Sequence, residues 1–105
     1  MAQFDVYPNP NPAYRQTWPW VVDVQHEILS TLQTRLTIPL AQASPANQGL
    51  PTRLFPRLEF QGKSYTLLAQ VAAPVHTSRL KSPQGTLHER RAEIQASLDA
   101  VIAGV

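Results

Sequence analysis

The chain has 105 residues, nine Lys and Arg against seven Asp and Glu, a formal net charge of +2 and no cysteine. That length suits one compact domain with one core, and the small charge excess is far from the dense basic stripe of a phosphate-backbone binder. Without cysteine there is no disulfide framework and no thiolate metal site, which suits a reducing compartment. Met1 to Tyr7 lacks the basic opening and apolar run of a signal peptide, and no stretch approaches the roughly 20 apolar residues that span a bilayer, so a soluble, cytoplasmic protein is expected.

Gln3 to Tyr7 alternates, placing Phe4 and Val6 on one face and Gln3, Asp5 and Tyr7 on the other, and predicts a strand that stops at Pro8. Pro8-Asn9-Pro10-Asn11-Pro12 reads as a stiff, exposed connection. Trp18-Pro19-Trp20 leads into Val21 to Leu29, a second strand with Val22, Val24 and Ile28 inward and Asp23 and Gln25 outward. Arg35 to Leu40 is a third alternating run, and Pro39 within it argues for an edge position or strand end. Ala41 to Leu50 reads as a mobile loop.

Arg57 to Phe60 and Tyr65 to Ala69 flank Gln61-Gly62-Lys63-Ser64, a hairpin with Gly62 at positive φ. Gln70 to Val75 extends or follows the second of these strands, and Thr77 to Gly85 is a polar loop. Thr86 to Val105 is the one long helical pattern. Thr86 and Glu89 form a capping box, Leu87, Ile94, Leu98, Val101, Ile102 and Val105 make an apolar stripe for a core, and Gly104 offers the left-handed exit. The sum is about five strands and a terminal helix: mainly β, with an antiparallel sheet bent strongly or closed into a small barrel. An exposed sheet edge favours pairing in a homodimer.

Little in the chain points to catalysis. His26, His76 and His88 lack metal-ligand spacing, the four glycines are isolated, and no serine sits in a nucleophile elbow. Asp23 and Glu27 read as structural residues rather than a carboxylate pair, and Arg90-Arg91 as an exposed face paired with Glu93 or Glu89. Trp18 and Trp20 are either core aromatics or interface anchors. A binding module fits these residues better than an enzyme, and no cofactor or metal is expected.

Four stretches in order, Gln3-Phe4-Asp5-Val6-Tyr7, Val22-Asp23-Val24-Gln25 with Ile28-Leu29, Ile38-Pro39-Leu40-Ala41, and the terminal helix ending Ile102-Ala103-Gly104-Val105, resemble the CcdB family, the toxin half of a toxin–antitoxin pair. The resemblance implies an SH3-like barrel of the CcdB and MazF type in a homodimer. It implies a non-enzymatic toxin that binds the DNA gyrase A subunit, traps the cleaved DNA complex and is neutralised by a cognate antitoxin. An antitoxin's disordered segment would meet the Pro8–Pro12 and Ala41–Leu50 loops. Carried over by position, the gyrase-facing residues are Ile28, Leu29, Asp99, Ile102, Ala103, Gly104 and Val105.

The best-known members end in Phe-Trp-Gly-Ile, so Ala103 stands where the family has a tryptophan and Asp99 where it has an asparagine. Losing a central aromatic costs at least about 2 kcal/mol at an interface. Trp18 or Trp20 would be a substitute anchor. The same barrel also carries endoribonuclease toxins of MazF type, and a non-toxic homologue that only binds antitoxin is the remaining alternative.

Overall fold

The structure, a computed structural model, describes residues 2–43 and 49–104. Seven strands are present among these residues: β1 (Asp5–Pro8), β2 (Trp20–Asp23), β3 (Thr34–Gln42), β4 (Arg57–Phe60), β5 (Lys63–Leu67), β6 (Ala73–His76) and β7 (Gly85–Thr86). One α-helix follows, α1 (Arg91–Ala103). All pairings are antiparallel, in the order β4-β5-β3-β2-β1-β7, with β6 also pairing β3. The sheet curls into a half-barrel, consistent with the SH3-like fold.

β3 organises the sheet. One edge pairs with β2, while the other pairs with β6 through residues 34–37 and with β5 through residues 40–42. Pro39 is therefore not at a sheet edge, as its sequence context suggests, but on the central strand. It falls where the partner changes from β6 to β5; the Pro39 carbonyl takes the Leu68 N–H, and the missing donor faces the same gap. From Arg35 to Ala41 the strand buries both faces except at Leu36, so alternation is lost where both sides are covered.

Phe4, Val6, Val22, Ile38, Leu40, Leu58, Phe60, Leu67 and Ile94 form the main core. Tyr7, Val21 and Leu80 form a smaller one. The alternation in β1 and β2 thus fills two apolar clusters, not one core and solvent. Asp23, expected outward, is fully buried and paired with Arg35, itself 1 % exposed. β2 ends at Asp23, earlier than its apolar pattern suggests, because Glu27–Leu29 turns into a 3-10 segment capped by His26 Nδ1, which accepts the Ile28 N–H.

The hairpin between β4 and β5 closes through Gln61 (φ 51°) and Gly62 (φ 79°), two consecutive left-handed residues that match the twist of the strands. Residues 69–71 form a 3-10 turn before β6, so this segment follows the hairpin strand rather than extending it.

The capping box does not form. Thr86 is held in β7 opposite Asp5, its hydroxyl accepts the His88 N–H, and a 3-10 turn over His88–Arg90 delays the α-helix to Arg91. The apolar stripe is also redistributed. Ile94, Ser97 and Ala100 are buried and Leu98 is half-buried, with Ser97 Oγ donating to the Leu54 carbonyl at 2.6 Å. Val101 and Ile102 face solvent, and the helix ends as expected with Gly104 in the left-handed region at φ 75°.

Candidate functional site

Most of the carried-over residues lie on the surface. Ile28 is 80 % and Ile102 85 % exposed, large values for β-branched side chains that would normally be buried. Leu29 is exposed beside Ile28, as are Asp99, Ala103 and Gly104, and Val105 lies outside the described residues. Asp99 and Ile102 line one groove with Gln3, Phe4, Val24, His26, Leu36 and Leu98. This groove joins the helix end to the connection between β2 and β3, two residues before Ile28. Leu32, Leu36 and Val101 are exposed as well. The surface thus mixes large aliphatic side chains with the polar groups of Gln3, His26, Gln95 and Asp99 in the groove and of Glu27 beside Ile28.

What holds Ile28 and Leu29 outward is the Asp23-Val24-Gln25 segment, whose polar residues alternation alone would place in solvent. Gln25 Nε2 donates to the Leu29 carbonyl at 3.3 Å and the Thr34 carbonyl at 3.0 Å, and its Oε1 accepts the Leu36 N–H at 3.0 Å. One side chain therefore ties both ends of the connection to β3. The Gln25 carbonyl takes Arg35 Nη2 at 2.7 Å while Arg35 Nε donates to Asp23 Oδ2 at 2.7 Å. Burial pushes the Asp23 carboxyl upward, and the Arg35 hydrogen bond and Gln25 N–H pull it back. Arg35 and Gln25 could have been suspected from the sequence only by asking what a buried Asp23 needs.

The other candidates have local duties. Glu27 Oε1 accepts the Gln3 N–H, so Asp23 and Glu27 form no carboxylate pair. His76 caps the turn at Thr77–Arg79 as His26 caps its own, and His88 lies edge-on to Phe4. Among the described residues no group of acidic residues and histidines is placed to hold a metal. Arg90 pairs with Glu93 on the exposed helix face, as the spacing suggests. Trp20 is a core aromatic, donating Nε1 to the Tyr65 hydroxyl at 3.0 Å and meeting Phe60 edge-on at 5.2 Å. Trp18 instead lies by Tyr14, ring centroids 5.5 Å apart. Neither tryptophan lines the groove at the helix end.

No helix among the described residues is long and apolar enough to cross a membrane. A comparison with curated proteins returns no match. The family model described as CcdB protein matches residues 3–104, essentially the whole chain. With that match and a curled antiparallel sheet closed by a terminal helix, the chain belongs to the CcdB family, toxins of toxin–antitoxin pairs.

Proposed function

We propose that the protein is a cytoplasmic, non-enzymatic toxin that acts as a homodimer, binds the DNA gyrase A subunit and traps the cleaved DNA complex until a cognate antitoxin removes it. The observation that carries the reading is the exposure of Ile28, on the turn between β2 and β3, and of Ile102, at the end of α1, 80 % and 85 %. Ile28, Leu29, Leu32, Leu36, Val101 and Ile102 are all exposed, and burying such side chains against a partner would be favourable. Ile28, Leu29, Asp99, Ile102, Ala103, Gly104 and Val105 are assigned to the gyrase-facing surface. A twofold dimer would present this surface twice to a twofold target, and each contact would count twice.

The test is a gyrase cleavage assay on plasmid DNA, with RNA integrity followed in parallel. Wild-type protein is expected to accumulate cleaved complexes and leave RNA intact; Ile102→Asp, which places a charge in the contact, is expected to accumulate none while keeping its circular dichroism spectrum. Cleaved RNA without gyrase complexes would instead assign a ribonuclease toxin. If neither appears, the result would favour a non-toxic homologue that only binds antitoxin.

A further inference from the structure

The turn that presents Ile28 and Leu29 is closed by a titratable side chain. His26 sits in the extended region, at φ −62° and ψ 145°, ahead of Glu27–Leu29, and its Nδ1 takes the Ile28 N–H at 3.1 Å. A backbone N–H can only donate, so Nδ1 must carry a lone pair and the neutral ring must hold its proton on Nε2. Ser, Thr, Asn and Asp do this duty at a helix start with an oxygen that stays an acceptor at neutral and mildly acidic pH. Imidazole does not, because its protonated form has two donors and no acceptor.

The rest of the turn does not depend on the ring. The Leu29 N–H donates to the His26 carbonyl at 3.0 Å, the Ser30 N–H to the Glu27 carbonyl at 2.9 Å, and Gln25 Nε2 to the Leu29 carbonyl. Loss of the cap therefore frees the Ile28 N–H without unfolding the connection. Few charged groups surround the ring. Asp99 of α1 lines the same groove as His26 and has no ion-pair partner among the described residues. Glu27, next in sequence, accepts the Gln3 N–H through Oε1 at 3.1 Å, and Arg35 behind the turn is taken up by Asp23 and the Gln25 carbonyl. His88 lies against Phe4 and is not part of this groove. Asp99 is thus the carboxylate that shares the groove with the ring, and Ile102 shares it too.

We propose that His26 is a positioning residue for the exposed Ile28–Leu29 turn, and that protonation of its ring releases the Ile28 N–H and weakens the binding that this turn provides. The identity of the bound partner, the gyrase A subunit, rests on the reading above; the cap and its loss rest on the turn alone. The sign follows from the acceptor. At higher pH the neutral ring holds Ile28 in one direction and a partner meets a contact already in place, whereas at lower pH the ordering of the turn is added to the cost of binding. His76 offers an internal comparison: its Nδ1 takes the Ser78 N–H at the start of Thr77–Arg79, a turn with no aliphatic side chain to present.

Two measurements on the whole protein test this. In NMR of the free protein, the ring nitrogens of neutral His26 are expected to report the Nε2–H tautomer. The temperature coefficient of the Ile28 amide is expected to report a hydrogen bond that is lost along the same titration curve as the ring. Binding to the gyrase A subunit, compared at about pH 8 and about pH 5.5, is expected to weaken about fivefold more in the wild type than in His26→Asn, which caps without titrating. His26→Ala is expected to bind weakly at both pH values, and His76→Asn to follow the wild type. An Nδ1–H tautomer, an Ile28 amide indifferent to ring protonation, or an equal pH dependence in His26→Asn would overturn the proposal. If the wild type binds no gyrase at either pH, the gyrase reading fails, and the NMR titration still decides the role of His26.

Discussion

The pair Asp23 and Arg35 sets what substitution in the centre of the sheet costs. Both are almost fully buried, and Arg35 Nη1 already lacks a partner among the described residues. Asp23→Asn keeps the shape but leaves a buried guanidinium without its counter-ion, an expected loss of about 3–5 kcal/mol in denaturant unfolding. Replacing both, Asp23→Leu with Arg35→Met, is expected to recover most of it; a double variant as unstable as the single one would show that shape and not charge dominates. Gly85 pairs with Val6, and a Cβ there would sit 2.7 Å from the Phe60 ring, which is wedged against Trp20. Gly85→Ala should cost about 1–3 kcal/mol by overpacking, where the same change at an open glycine with ordinary φ would not.

Tyr7 gives the pH dependence. Burial pushes its phenol above the ordinary value, Asp5 and Asp23 add to the push, and Arg35 opposes it. The folded state then holds the proton more tightly than the unfolded state, so stability falls as pH rises past about 10, where only the unfolded chain ionises this group. Tyr7→Phe is expected to flatten that alkaline loss in thermal unfolding curves; an identical slope would remove Tyr7 as its source.

At the scale of elements, the apolar positions of α1 were legible in the sequence but their destination was not. Periodicity counts Ile94, Leu98, Val101 and Ile102 as one stripe, yet in the fold Ile94 is buried with Ser97 and Ala100 while Ile102 stands in solvent. Sequence pattern cannot distinguish an apolar residue meant for the chain's own core from one meant for a partner's. The end of the helix was legible because a left-handed glycine has a local signature. Its beginning was not, because Thr86 is claimed by strand pairing with Asp5, a contact 81 positions away in sequence. Pro39 failed for the same kind of reason: a proline in a strand usually marks an edge, unless the partner strand changes at that residue.

The element also carries a prediction. Deleting Ala103 to Val105 removes no buried side chain among the described residues, so the protein is expected to fold and keep its oligomeric state in light scattering while losing toxicity on induced expression. Ala103→Trp, which supplies a large flat side chain beside the exposed Ile102, is expected to raise affinity for the gyrase A subunit roughly thirtyfold, the equivalent of about 2 kcal/mol. Full toxicity after the deletion would move the contact elsewhere.

At the scale of the molecule, two surfaces differ in chemistry. The surface with Ile28 and Ile102 exposes large aliphatic side chains, whereas the groove beside Trp18 ends in three cations, Arg15, Arg79 and Lys81. Both lie on the one curled sheet and its terminal helix, since β3 pairs on one edge with two different strands. The antiparallel class and β1 to β5 followed from alternation and turn signals. The short strand β7, the buried charge pair at β2–β3 and the loop after β1, which buried Asn9 fixes through the Trp18 and Pro19 carbonyls where the sequence suggests an exposed connection, depend on contacts that no local pattern encodes.

The most direct test of the central claim is the binding of the purified protein to the dimeric gyrase A subunit, measured by calorimetry with Ile28→Asp and Ile102→Asp alongside the wild type. The expected result is a complex of one toxin dimer per subunit dimer, with affinity falling at least about thirtyfold, or 2 kcal/mol, in each variant while folding is unchanged. Wild-type affinity in both variants, or no complex with the wild-type protein, would contradict it.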